Sequence, residues 1–280
     1  MNSADDGGRP VNPVDPTGAV ADWWETSISK IAPGVISLRG NDIGDLLRER
    51  DFTEVLWMLT TGGDFPPPGQ RRLLEAALVA SVDHGPQAPS IASARMAATC
   101  GVGLNNAIAN GVNVLGDVHG GAGQQCVELL NEVVAAQDEH GGDVSAVAQP
   151  VVARWQARSK YLPGFGHRFH PVDPRRAPIL ELLHAARADG EIEGRHLDAG
   201  LAVEALINVG RARPIPINVD GVTAMIYGEL GVPPELARGL FVLGRSVGIL
   251  AHAWEQTQQG GRIKGPVPPS ILPTYTGPGA

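Results

Sequence analysis

Apolar residues recur every three or four positions along most of the chain, the spacing of one helix face, and the intervals between such runs are filled with glycine and proline. In DFTEVLWMLTTGG, starting at Asp51, the stripe follows a residue able to cap a helix (Asp51 or Thr53) and stops at a glycine. PPPGQRRLLEAALVASV opens on prolines and keeps Leu73, Leu74, Ala77 and Leu78 on one face. GQQCVELLNEVVAAQDEHGG, VSAVAQPVVARWQARSK, HLDAGLAVEALINVG and PPELARGLFVLGRSVGILAHAWEQTQQ repeat the pattern. Strand-like alternation is sparse, and GVISLRG is the one short run that fits it. The pattern predicts a mostly α-helical fold. Residues 104–115 and 239–251 are apolar nearly all round, which places such helices inside a core or at a subunit interface, so a homodimer is expected.

Composition narrows the class. With 280 residues, 43% of them apolar, the chain can bury a sizeable core as one large domain or two modest ones. A net charge of −8 argues against a nucleic-acid binder. Cys100 and Cys126 have no metal-ligand spacing and sit in apolar-periodic segments, so both read as buried free thiols. Residues 1–20, rich in Pro, Gly and Asp, read as a disordered or draped tail. No basic region followed by an apolar run marks a signal peptide, and no stretch reaches the uniform apolarity of a membrane span. A cytoplasmic protein without membrane association is the expectation.

Against that acidic background, LPGFGHRFHPVDPRRAP (162–178) packs two histidines and three arginines among four prolines and two glycines. Asp173 and Pro174 fit the cap and first position of a helix, which leaves Arg175 and Arg176 in a first turn whose dipole they oppose. A bound anion would offset that conflict. Arg245 sits inside FVLGRSVGILA with apolar or small neighbours, a costly place for a charge unless a structural or a ligand carboxylate meets it. His119 lies in the glycine-rich turn of LGDVHGGAGQQ just before a helix, whose N-terminus would disfavour an imidazolium; a turn histidine in water is the plain alternative. His84 ends a helix, a favourable place for a histidine on structural grounds alone. Asp220, in INVDGVTAMIYGEL, is either a helix cap or a carboxylate base. His84, His119 and His167 share no short metal-ligand spacing, and no metal is expected.

Together, VHGGAG, PGFGH…DPR, NVDG and LGRSVGILAHAWEQ resemble the citrate synthase superfamily in order and approximate spacing, over most of the chain. The resemblance implies a mostly helical dimer with a large domain (21–120 and 226–280) and a smaller one (121–225). It implies His119, His167 and Asp220 as the catalytic trio and His84, Arg175 and Arg245 as substrate-binding residues. It also implies a coenzyme A site along Pro163, Gly164, Phe165 and Gly166, with Arg168 and His170 placed for phosphates. No tightly bound cofactor is implied; a coenzyme A thioester is substrate or product, beside a 2-oxo acid.

Within that superfamily, DHGPQAPS and GHR look like the lyase branch, whereas the histidine of VHGGAG is shared with the synthases. Near the C-terminus, GRIKGPVPP carries Gly265 where synthases have an arginine that binds a carboxylate in the neighbouring subunit; Arg262 and Lys264 flank it. The expected activity is citryl-CoA lyase-like cleavage of a 3-hydroxyacyl-CoA to acetyl-CoA and a 2-oxo acid such as oxaloacetate. The alternatives are a short citrate or methylcitrate synthase-type condensing enzyme and a non-catalytic coenzyme A-binding paralogue.

Overall fold

The structure is a computed structural model that describes residues 24–168 and 170–279. The expected tail at 1–20 lies outside the described residues. Eleven helices and three short strands are present among the described residues, which divide into two compact units between residues 65 and 66.

The first unit begins with an antiparallel sheet, β1 (Ser29–Ala32), β2 (Val35–Leu38) and β3 (Asn41–Asp42), in that order. Only β2 was anticipated. SKIA carries too little alternation to read as a strand, and β3 is two residues long; the turns specify this sheet. Arg39 and Gly40 both take positive φ, the geometry of a two-residue hairpin turn. Arg39 is held there by bonds to the Ser27 hydroxyl and the Leu59 carbonyl. Helix α1 (Ile43–Glu49) is capped by Asp42. Helix α2 (Phe52–Thr61) has Asp51 as its cap, in a reciprocal box with Glu54, and stops at left-handed Gly62.

The second unit is helical: α3 (Pro68–Ser81), α4 (Pro89–Ala98), α5 (Leu104–Asn113), α6 (Ala122–His140), α7 (Val144–Arg158), α8 (Arg176–Ala188), α9 (Arg195–Asn208), α10 (Val219–Glu229) and α11 (Pro234–Gln258). Helix α10 is the buried axis. Every residue from Gly221 to Gly228 is buried, among α3, α6, α8 and α9. Helix α11 packs on α3, α4, α5 and α6, burying Gly244, Arg245, Gly248, Ile249 and Ala253.

One expectation changes here, and a second is narrowed. By length and composition α11 is apolar enough to cross a membrane, contrary to the sequence reading, although its buried side includes Arg245 and Gln256 and serves as helix-packing surface. The two segments that read as core or subunit-interface helices are buried only in part within the single chain, which leaves the interface alternative open. α5 buries Ala107 and Gly111, and α11 exposes Leu243, Val247, Leu250 and Trp254 in one stripe of the single chain.

Candidate active site

The loop 163–167 and the start of α10 are stitched into one piece. The Gly166 N–H donates to the Pro216 carbonyl and the Asn218 N–H to the Gly164 carbonyl, at 2.8 and 2.9 Å. The Asn218 amide donates to the Gly166 carbonyl at 2.6 Å, while its oxygen caps α10 by accepting from the Gly221 N–H. Gly164 has φ +85°, and a Cβ there would lie 2.5 Å from Cys126 Sγ and 2.9 Å from Gly221 Cα. Only glycine fits both the backbone and the space. Gly164→Ala is therefore expected to cost about 2 kcal/mol or more in urea unfolding; a change below about 0.5 kcal/mol would contradict this packing.

Because Asn218 caps the helix, Asp220 is released from that role and stands in the first turn of α10. Among the described residues no donor bonds its carboxylate. Burial raises its pKa, and the opposing pull of Arg175 and Arg245 does not cancel this. A carboxyl group in that state can both take and hold a proton.

His119 has its Nε2 facing the first turn of α4, where the Ser90 N–H donates to it at 3.2 Å and the Ser90 hydroxyl lies at 3.1 Å. The proton of the neutral ring is therefore on Nδ1. Burial, then Arg245 and Arg168, lower its pKa. The helix N-terminus that touches the ring belongs to α4 and not, as the sequence suggested, to α6, the helix that follows it in the chain.

His84 and His167 meet through their Nε2 atoms at 3.2 Å, and the His170 N–H donates to His167 Nδ1 at 3.1 Å. That backbone bond fixes His167 as the Nε2–H tautomer, so its ring donates and His84 Nε2 accepts. Burial is the largest cause lowering both pKa values; Arg175 and Arg245 add to it at His84, whereas Asp173 opposes it at His167. His84, His167 and His170 bring ligand atoms within 4.8 Å of one another, a cluster the sequence reading missed by grouping His119 with the other two. The HxxH spacing of 167 and 170 was the available signal.

The arginines divide. Arg175 is largely committed: Nε and Nη2 donate to the two oxygens of Asp173, each at 2.9 Å, and Nη1 to the Ala80 carbonyl at 3.0 Å. Helix α8 starts at Arg176, so Asp173 is not its cap as expected. Its fully buried carboxylate also accepts from the Val219 N–H and ties the loop to α10. Burial alone would raise the Asp173 pKa, but the bonds from Arg175 and the neighbouring amides bring it down to about 2. Arg176 pairs with Glu204 at 2.6 Å. Part of the loop's positive charge is thus neutralised internally.

Arg245 differs. It is 6% exposed, donates from Nε to the Ser81 carbonyl at 2.8 Å and lies 5.1 Å from the Phe241 ring centre. Among the described residues no carboxylate pairs with it, which leaves both terminal nitrogens of its fork for an anion. Arg168 is exposed, Phe165 is buried against Ile217, and Gly265 lies in an exposed stretch anchored by bonds from the Ile263 and Lys264 N–H groups to Thr99.

An all-helical scaffold thus holds a carboxyl group, two neutral imidazoles ready to donate and a buried unpaired arginine in one unit. Residues 60–266 match the family model for the citrate synthase C-terminal domain, and the chain belongs to the citrate synthase family. It is 33% identical over 214 residues to citrate synthase 1 of Mycobacterium tuberculosis, covering 73% of this chain and 47% of that one. The chain spans about half the length of the curated relatives it matches. The fold superposes on citryl-CoA lyase from Hydrogenobacter thermophilus with a TM-score of 0.78 at 29% identity, covering 91% of this chain and 94% of that one. It also superposes on ATP citrate lyase from Methanothrix soehngenii, solved with citrate and coenzyme A, with a TM-score of 0.74 at 22% identity, over 99% of this chain and 47% of that one.

Proposed function

We propose that the chain is a citryl-CoA lyase-like enzyme that cleaves a 3-hydroxyacyl-CoA to acetyl-CoA and a 2-oxo acid such as oxaloacetate. The observation that carries this reading is the combination of Asp220, a carboxyl group whose burial favours the protonated state, with Arg245, a buried cation that forms no ion pair with a carboxylate among the described residues. The first suits proton transfer at carbon, the second a substrate carboxylate.

In the cleavage direction the hydroxyl proton leaves to the His84–His167 pair, with His167 facing the reacting oxygen. His167 Nδ1 is held by the His170 N–H, so the nitrogen of that pair that takes the proton is His84 Nε2. The carbon–carbon bond then breaks, and its electron pair passes to the thioester as an enolate whose oxygen accepts a hydrogen bond from His119 Nδ1–H. Protonated Asp220 gives its proton to the new methyl carbon. Each step uses side chains of this chain, and no resident cofactor enters the scheme. Coenzyme A would lie along Pro163, Gly164, Phe165 and Gly166, with Arg168 toward its phosphates. The smaller domain, 121–225, would close over the substrates. With Gly265 in place of an arginine, one carboxylate contact is missing, which favours substrates with fewer carboxylates. The exposed stripe of α11 fits a homodimer.

The kinship to citrate synthases and the neutral His119 support a second reading, condensation followed by thioester hydrolysis. Purified protein given citryl-CoA, and separately acetyl-CoA with oxaloacetate, distinguishes the two. Acetyl-CoA release from the first without free coenzyme A is the expected result. Steady free coenzyme A from the second mixture would overturn the lyase reading. Coenzyme A binding without turnover of any 2-oxo acid would favour a binding-only protein.

A further inference from the structure

The second half of LGRSVGILAHAWEQ has no part in the scheme above, yet its side chains converge on the turn that carries His84. Gly248 of α11 lies under that turn, where a Cβ would sit 2.1 Å from the Val82 carbonyl oxygen and 3.1 Å from Asp83 Oδ1. One helical turn further on, His252 Nε2 lies 3.3 Å from the Asp83 carboxylate. Its other nitrogen, Nδ1, lies 3.0 Å from Arg95 Nη1 of α4. An arginine can only donate, so Nδ1 accepts and the ring proton is on Nε2, directed at Asp83. Arg95 is held in turn by Glu255 of α11 at 2.6 Å and by Gln259, the C-cap of that helix, at 3.0 Å.

Asp83 is the pivot. Its Oδ2 accepts from the N–H of Gly85, a residue with φ +80°, at 3.0 Å. Burial alone would raise the Asp83 pKa, but the bonds from Gly85, His252 and the His84 amide more than offset it, so the carboxylate stays charged. The side chain just before His84 thus sets the backbone just after it. The His84 ring then reaches His167.

We propose that His252 is a positioning residue for the candidate active site. Through Asp83 it fixes the 83–85 turn and so aims His84 Nε2 at His167 Nε2. Arg95 selects the His252 tautomer that can do this, and Glu255 and Gln259 keep Arg95 in place. The functional consequence rests on His84 taking the hydroxyl proton; the structural claim does not.

The test is long-range ¹H–¹⁵N NMR of the histidine rings in the full chain, with His196 as the remote reference. In the wild type, His84 should show one tautomer with Nε2 unprotonated. In His252→Ala and in Asp83→Asn that pattern should average between tautomers, with the His196 signals unchanged. His252→Gln, whose amide N–H reaches about as far as the ring Nε2–H, should restore it. With citryl-CoA, His252→Ala should lower kcat roughly ten-fold, through the misaimed His84 Nε2 that takes the hydroxyl proton, and change coenzyme A affinity less than three-fold, a factor of ten being about 1.4 kcal/mol. An unchanged His84 pattern in both variants would overturn the proposal, as would shifts at His196 as large as those at His84. If citryl-CoA proves not to be a substrate, the lyase reading falls while the ring-nitrogen result still decides the role of His252.

Discussion

Asp220→Asn is expected to lower turnover of a 3-hydroxyacyl-CoA by roughly a thousand-fold or more, within the range contributed by a positioned acid or base. Coenzyme A affinity should change less than two-fold. The basis is local: Asn218, not Asp220, supplies the helix cap, so an amide at 220 removes the proton carrier without removing a structural bond. Burial raises the Asp220 pKa against the pull of Arg175 and Arg245, so the substitution takes away a group able to exist in both protonation states. Single-turnover measurement of acetyl-CoA, with coenzyme A binding by calorimetry, separates the two effects. Near-normal turnover in Asp220→Asn would remove this residue from the mechanism.

The largest expected effect on stability is at Asp173. Its buried carboxylate accepts two bonds from the Arg175 side chain, one from the Arg175 N–H and one from the Val219 N–H. Asp173→Asn breaks a buried pair and leaves Arg175 without its anion, a loss of about 3–5 kcal/mol. The pH dependence has a definite sign. A carboxyl group lowered in the folded state to about 2 adds stability above its unfolded value near 4, and that contribution is lost as pH falls from about 4 to about 2. The lost amount is about 2 kcal/mol, from the size of the shift. Chemical unfolding of wild type and Asp173→Asn at steps between pH 5 and 2 checks both. The variant should be less stable at pH 5 and its curve flatter below pH 4. Parallel curves would show that Asp173 is not the group titrating there.

The contrast between these residues shows what a linear sequence carries. Helices were legible wherever an apolar stripe ran between a proline or capping residue and a glycine, as in α2 and α3. The four motifs were legible because glycine, proline and histidine at fixed offsets leave few alternatives. Asp173 was misread because DPR at the head of an apolar stripe satisfies the capping rule equally well; only the approach of α3 and α10 shows that the carboxylate faces Arg175 and the Val219 N–H. β1 and β3 are held by turns and carry no periodicity of their own. The His119 and His167 tautomers depend on the N–H groups of Ser90 and His170, and backbone donors leave no trace in composition. Asp83, Arg95, His252 and Glu255 come from three segments, and nothing in their spacing along the chain brings them together.

The division of the arginines also sharpens the substrate question. The sequence placed Arg175 and Arg245 on equal terms. The structure commits Arg175 to Asp173 and the end of α3 and leaves Arg245 buried with no carboxylate paired to it among the described residues. A ligand carboxylate meeting Arg245 would turn an uncompensated charge into a charge-assisted pair.

The most direct test of the central claim is cleavage of citryl-CoA in D₂O, with the acetyl-CoA product weighed by mass spectrometry. A retro-aldol cleavage that returns a solvent-equilibrated proton from Asp220 to carbon predicts one deuterium in the acetyl methyl group and no free coenzyme A. Free coenzyme A as the sole thiol product, or acetyl-CoA without deuterium, would contradict it.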